Sequence, residues 1–330
     1  MKAILSKLYE HQHLSREEAR EVLINISNEN YNMSQIASFM TVYLMRAITV
    51  DELQGFREAL LELCLAIDLE GRDTVDIVGT GGDGKNTFNI STLSSFVVAG
   101  AGYKVTKHGN KGVSSVSGSS NVLQEMGYKF TNDRDKLMRQ LDEAGICFFH
   151  APLFHPAMKA VAPIRRALKV KTFFNMLGPL VNPASPKHQL FGVFNLELGR
   201  LYQYILQQSD KQFTVVYAMD GYDEVSLTSP FKVRTHSSEH LLTPTDLKKP
   251  YYQQSDLYGG DTVESAARIF RNILEGNGSK AQQDVVTANA GLAIHCIHSE
   301  KQLVDCIAEA QEALDSGQAL GALKKLVSLA

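Results

Sequence analysis

The chain has 330 residues, of which 44% are hydrophobic and 21% charged, and its formal net charge is −3. This composition is that of an ordinary globular chain able to bury a sizeable core, and the length suggests about two domains. A slightly negative chain without a basic stripe does not fit a nucleic-acid scaffold, and no apolar stretch approaches the roughly 18 residues of a spanning helix.

The opening "MKAILSKLYEHQ" holds only a short apolar run, too short for a signal-peptide core. Cys64, Cys147, Cys296 and Cys306 form no CxxC pair, so neither a zinc site nor a disulfide framework is expected. The chain reads as a reduced, cytoplasmic protein. Residues 1–70 read as helical, with capping-box patterns at Ser15–Glu18 and Thr49–Glu52. "SQIASFMTVYLMRA" and "DELQGFREALLELCLAI" carry apolar residues at helical spacing, and the second is apolar on more than one side.

After "DLEGRDT" the pattern changes. Strand-like runs "TVDIVG", "YKVTKHG", "GYKFT" and "GICFFHA" alternate with helical runs "STLSSFVVAGAG", "SSNVLQEMG" and "RDKLMRQLDEAG". Such alternation predicts an α/β domain with a mainly parallel sheet. Beyond the turn-rich "NPASPKHQ" it resumes with strand "QLFGVF", helix "LGRLYQYILQQS" and strand "FTVVYAM". Residues 224–260 read as short antiparallel pieces and loops, followed by three helical segments near 262–275, 280–298 and 300–328.

The stretch "TVDIVGTGGDGKNTFNIST" (residues 74–92) carries the first chemistry. Glycines between a strand and a helix near Ser91 bring backbone N–H groups and a helix N-terminus to an anion. The spelling fits G-x-G-x-x-G and also most of a P-loop, and both fail at residues farther along the chain. Asn86 stands where a P-loop needs the Ser or Thr that holds Mg²⁺. The second strand ends in Lys107 and His108, where a dinucleotide site needs an acid for the ribose. Instead "KHGNKGVSSVSGSS" (107–120) offers Lys107, Asn110, Lys111, Ser114, Ser115, Ser117 and Ser119, a second anion loop. In a parallel sheet both loops lie at carboxyl ends of strands, where ligands bind. Two such loops imply a ligand with phosphates at two ends, the shape of 5-phosphoribosyl 1-diphosphate (PRPP).

These two segments, followed in order by "HPAMKAVAPIRRAL", "FNMLGPLVNP" and "GYDEVS", closely resemble the anthranilate phosphoribosyltransferase family over nearly the whole chain. The glycine loop and Lys-His segment also mark the wider nucleoside phosphorylase/phosphoribosyltransferase superfamily. A pyrimidine nucleoside phosphorylase is the rival reading, one with no use for an acidic Mg²⁺ pair. The resemblance implies a small all-helical domain (1–70 with 165–190), serving dimerisation and part of the anthranilate site. It also implies a large α/β domain (71–164 with 191–330) that binds PRPP, an active site in the cleft between them, and a homodimer. The implied reaction transfers the phosphoribosyl group of PRPP to the amine of anthranilate in tryptophan biosynthesis, with Mg²⁺ as cofactor.

By the same resemblance, Gly79, Gly82, Asp83 and Thr87 correspond to the diphosphate-side loop, and Asn89, Ser91 and Thr92 to further phosphate and metal contacts. Lys107 and Ser119 correspond to the other phosphate site, and Gly79, Asn110 and Arg165 to anthranilate contacts. Asp223 and Glu224, assisted by Ser91, correspond to the Mg²⁺ ligands. Lys111-Gly112, Lys171 and Tyr217-Ala218 depart from the family's commonest spelling. The chemistry suits these types. Mg²⁺ takes one or two carboxylates plus substrate phosphates, and an arginine clamps a carboxylate with planar, bidentate geometry. Arg165 and Arg166 are the candidates, one of them facing solvent. The aromatic amine is neutral and nucleophilic at pH 7, so no strong general base is required. His108 and His155 lie in site segments, and either is a candidate proton relay.

Overall fold

A computed structural model describes residues 1–112 and 116–330. In chain order its helices and strands begin with α1 (Lys2–Tyr9), α2 (Arg16–Ser27), α3 (Met33–Met45) and α4 (Val50–Glu62). Next come β1 (Val75–Gly79), α5 (Ile90–Gly100), β2 (Val105–Gly109), α6 (Ser119–Glu125), α7 (Arg134–Ala144) and β3 (Ile146–His150). They are followed by α8 (Ala151–Phe154), α9 (Met158–Leu168), α10 (Phe174–Leu177), β4 (His188–Gly192), α11 (Leu196–Leu206) and β5 (Gln212–Ala218). The chain closes with β6 (Phe231–Arg234), β7 (Glu239–Leu242), α12 (Val263–Leu274), α13 (Lys280–Ile297), α14 (Leu303–Asp315) and α15 (Gln318–Ser328).

The chain forms two compact units, Met1–Ile67 with Ala151–Ser185, and Asp68–His150 with Pro186–Ala330. The first is all helical. Three of its helices start where the sequence supplies caps: Ser15 with Glu18 and Thr49 with Glu52 form capping boxes, as does the unpredicted pair Asn32 and Gln35. The breaks differ from the predicted ones at 70, 164 and 190, most of all at the second. Residue 165 lies inside α9, which packs on α2 and α3. Phe173 stacks on Phe56 at 4.6 Å and meets Phe39 edge-on at 6.0 Å, joining the N-terminal aromatic cluster. Main-chain bonds from Leu65 to the Phe154 carbonyl (2.8 Å) and from Ile67 to that of Pro183 (3.1 Å) close the unit. Residues 151–164 belong here because their apolar faces are buried in this bundle.

The second unit is built on a seven-stranded sheet among the described residues, in the order β3-β2-β1-β4-β5-β6-β7. The first five strands are parallel, and β6 and β7 are antiparallel additions. Strands β1 to β4 are buried along nearly their whole length, the mark of a sheet covered on both faces. Helices α5 and α13 are buried almost throughout and pack together. Two sequence expectations fail. "GYKFT" is no strand. Tyr128 is buried with its hydroxyl on Gln140 (2.9 Å), and Phe130 stacks on His150 (4.4 Å), so two aromatic rings anchor a loop to the core. The segment 300–328 is two helices, broken at Gly317, which adopts φ 75°.

Strand order reverses between β1 and β4, whose terminal residues Gly79 and Gly192 are register partners. A crevice at such a switch point, beyond the carboxyl ends of the strands, is where open α/β sheets hold ligands.

Candidate active site

The glycine loop leaves β1 at this switch point. Gly81, Gly82 and Gly84 all take positive φ (63°, 76° and 76°), which lets the loop fold back with its N–H groups inward. The Thr80 N–H donates to the Gly192 carbonyl (3.0 Å), tying the loop to β4. Its far side is held by a Thr87–Tyr258 bridge and by Asn86, which donates to the Gly260 carbonyl at 2.8 Å. Lys85 lies over the Tyr222 ring at 4.7 Å. Helix α5 comes next, with Asn89 as N-cap. The Asn89 side chain does not cap the helix but donates to the Ser117 carbonyl at 3.0 Å, joining the two anion loops. Thr92 is buried in the first turn.

The acidic pair meets this loop directly. Gly81 N–H donates to Asp223 Oδ2 at 2.6 Å. Ser91 N–H donates to Glu224 Oε1 at 2.9 Å, and Ser91 Oγ donates to the same oxygen. Glu224 therefore occupies the positive end of α5. Two glycines make the approach possible. A β-carbon on Gly79 would stand 2.3 Å from Asp223 Oδ2, and one on Gly192 only 1.5 Å from the Asp223 carbonyl oxygen. Sequence reasoning missed Gly192. Its signal is a glycine ending the apolar run "QLFG", a mark of close backbone approach.

The electrostatics show uncompensated negative charge. Burial, then the Asp83 carboxylate, pushes Asp223 up to about 7. Glu224 is pushed well above the carboxylate range by desolvation and then by Asp223. Burial also raises Asp83. Two lysines oppose this charge, Lys85 acting on Asp83 and Lys107 on Asp223 and Glu224. Burial lowers the Lys107 amine, opposed by Asp76, Glu224 and Asp223. Lys107 Nζ donates to the His108 carbonyl (3.1 Å), and His108 N–H donates to the buried Asp76 carboxylate at 3.2 Å. Asp76, an acid inside the apolar strand "TVDIVG", is a second residue the sequence reading passed over.

This donor set is all hard oxygen with excess negative charge, so it fits a hard divalent cation such as Mg²⁺. No group of three or more His, Cys, Asp or Glu among the described residues forms a metal site by itself. An incomplete shell suits Mg²⁺, which keeps waters and takes substrate oxygens.

The second anion loop runs from β2 into α6. The Asn110 carbonyl accepts from Ser120 N–H (3.2 Å) and Ser119 Oγ (3.3 Å). Asn121 Oδ1 accepts from Gly112 N–H (2.9 Å) and Gly118 N–H (3.1 Å), folding the loop over. Ser114 and Ser115 lie outside the described residues. His150, at the end of β3, is 2.9 Å from Ser120 Oγ through Nδ1.

Arg165 and His155 belong to the first unit. Arg165 is half-buried in the last turn of α9, with Nη2 donating to Asn175 Oδ1 at 3.2 Å and its guanidinium 5.7 Å from the Phe174 ring centroid. Among the described residues no carboxylate pairs with it, and burial holds its pKa below the ordinary value. Arg166 is exposed. Burial lowers His155 to about 4, and the Val181 and Leu60 main chain engages it, so the ring is neutral and structural at pH 7.

The chain matches two family patterns end to end: "Glycosyl transferase family, helical bundle domain" over residues 2–64 and "Glycosyl transferase family, a/b domain" over 71–320. An anthranilate phosphoribosyltransferase of Flavobacterium johnsoniae is 57% identical over 329 residues, covering 100% of this chain and 99% of the relative. The fold is similar to the crystal structure of anthranilate phosphoribosyltransferase from Thermus thermophilus. The TM-score is 0.92 at 32% identity, over 98% of each chain. It is also similar to the Saccharomyces cerevisiae enzyme in complex with PRPP and Mg, with TM-score 0.90 and 26% identity over 98% and 96% of the two chains.

Proposed function

Since the chain belongs to the anthranilate phosphoribosyltransferase family, we propose that the loops around Gly79 and Gly192 carry out that family's reaction here. The chain transfers the phosphoribosyl group of PRPP to the amine of anthranilate, giving N-(5-phosphoribosyl)anthranilate and diphosphate in tryptophan biosynthesis. The observation that carries the reading of the residues is the pairing of Asp223 with the Gly81 N–H and of Glu224 with Ser91, at the switch point of the sheet.

Gly79, Gly82, Asp83, Thr87, Asn89, Ser91 and Thr92 form the diphosphate side, where N–H groups and the α5 N-terminus favour anions. The donors now on Asp223 and Glu224 are the ones that can pass to phosphate oxygens. Lys107, Asn110 and Ser119 serve the other phosphate and the acceptor. Asp223, Glu224 and Ser91 would hold Mg²⁺, which when bound neutralises and orients the departing diphosphate. The amine needs no strong base, so positioning and electrostatic support of the leaving group carry the rate. Arg165, a cation without an acid partner, clamps the anthranilate carboxylate, and Asn175 orients it.

The first unit supplies the dimer contact and part of the anthranilate site. No helix among the described residues is long and apolar enough to cross a membrane. In this reading the protein works in the cytoplasm as a homodimer. Incubating the protein with anthranilate, PRPP and Mg²⁺ tests the reaction directly. Anthranilate fluorescence should fall, and the double variant Asp223→Asn/Glu224→Gln should stay folded while losing Mg²⁺-dependent turnover. No fall at high enzyme concentration refutes the reaction, and an active double variant refutes the metal role.

A further inference from the structure

Asp223 and Glu224 sit in a turn, and a turn alone does not fix where two carboxylates point. The neighbouring residue, Val225, is fully buried, and both of its main-chain polar groups end on one side chain of α13. Asn289 Oδ1 accepts from Val225 N–H at 3.0 Å, and Asn289 Nδ2 donates to the Val225 carbonyl at 2.9 Å. The same Nδ2 donates to the Val285 carbonyl of its own helix at 2.8 Å, which fixes the rotamer. Asn289 is only 3% exposed, so no water competes for these bonds. Its helix is tied in turn to α5 through Ser94 Oγ, which donates to the Val286 carbonyl at 3.1 Å. Ser91, one turn earlier on α5, holds Glu224. Three elements thus close a ring: α5 grips Glu224, α13 grips Val225, and α5 and α13 grip each other.

We propose that Asn289 is a positioning residue for the acidic pair, a carboxamide clamp that sets the turn's height above the glycine loop and so fixes where Asp223 and Glu224 present their oxygens. The proposal rests on the reading of that pair as the metal-holding groups. A buried clamp on the backbone next to a ligand acts as outer-shell partners of metal ligands do, by orienting the groups that bind. Burying amide groups this way also stabilises the fold, so the test must separate the two effects.

The full-length Asn289→Ala and Asn289→Asp variants would be compared with the wild-type chain. Measured quantities are the KM for each substrate, calorimetric binding of PRPP with Mg²⁺ in the absence of anthranilate, and Tm. Asn289→Ala should weaken both the PRPP KM and the calorimetric Kd by about tenfold. The KM for anthranilate should stay within about twofold. Asn289→Asp, which keeps the acceptor for Val225 N–H, should fall between the two. A lower Tm with unchanged PRPP binding, or equal shifts in both KM values, overturns the proposal. Should Asn289→Ala fail to fold, hydrogen exchange on the wild-type chain decides. The Val225 amide should exchange as slowly as the amides in the middle of α13, and exchange at loop rates overturns the clamp. A wild-type chain that binds PRPP with Mg²⁺ but does not consume anthranilate refutes the reaction assignment, and the calorimetric comparison still tests Asn289.

Discussion

At the scale of single residues, Gly192, Gly79 and Arg165 give the sharpest tests of the proposed chemistry. Gly192 has no β-carbon, and one placed there would stand 1.5 Å from the Asp223 carbonyl oxygen and 2.6 Å from its carbon. That collision is with backbone, so Asp223 cannot swing away as a flexible side chain would. Gly79 poses a milder case, because its β-carbon meets the Asp223 carboxylate, which can turn. Gly192→Ala should therefore lower kcat/KM by on the order of a hundredfold, the upper range for a misplaced outer shell. Gly79→Ala should cost less, and steady-state kinetics on the two purified variants gives the order. The reverse order would sink the argument. Arg165 offers the second test. A charge-assisted hydrogen bond contributes roughly 1.5–3 kcal/mol, so Arg165→Ala should raise the anthranilate KM by at least about tenfold, since about 1.4 kcal/mol is tenfold. The PRPP KM should move little. Equal effects on both substrates would remove Arg165 from the acceptor site.

At the scale of elements, the acidic turn and the glycine loop form one electrostatic unit. Asp223 stands near 7 in the folded chain because burial and Asp83 disfavour its charged form. An acid raised on folding adds stability that is fully present below its unfolded value, about 4. That contribution is lost as pH rises from there through about 7. A cation on the turn reverses the loss, because it favours the ionised carboxylates. The rise in Tm produced by Mg²⁺ should accordingly be larger at pH 8 than at pH 5.5, as differential scanning fluorimetry would read. A pH-independent rise would place the cation elsewhere. The sequence made part of this unit legible. A strand, a glycine run and a helix start near Ser91 are local signals, and the structure brings Ser91 to Glu224. Gly192 offered only a glycine at the end of an apolar run, which marks a close approach but not its partner, and Asn289 offered nothing. Their meaning comes from β4 and α13 lying against a turn that is distant in the chain, and a single glycine or asparagine carries no spacing pattern. "GYKFT" misled for a related reason, since two aromatics flanking an exposed lysine alternate as a strand does and also as a loop that presses its rings into a core.

At the scale of the whole molecule, the alternation of strands and helices was legible because both periods recur along the chain, whereas the boundaries of the first unit were not. Residues 151–164 join it through tertiary contacts, the Leu65 N–H on the Phe154 carbonyl and α9 against α2 and α3, and no local pattern announces such a partner. Among the described residues, the two most exposed large apolar side chains, Met45 and Met33, also lie in this unit. Met33 (62% exposed) and Leu44 share one face of α3, Met45 beside them is 84% exposed, and Tyr9 at the end of α1 is exposed too. Exposed apolar side chains at both ends of one helix are expected to be an association surface. Its occupant in a homodimer is the same patch on a second copy, since a two-fold interface is self-complementary. Sedimentation of the wild-type chain should therefore give twice the chain mass at micromolar concentration. Leu44→Lys/Met45→Lys should shift it to monomer, because four lysines would face one another across the axis. The glycine loop and the Lys-His loop proposed to hold PRPP belong to the second unit, so calorimetric PRPP binding gives an independent check that the variant is folded. A monomeric wild-type chain, or a dimer untouched by the two lysines, would remove this face as the contact.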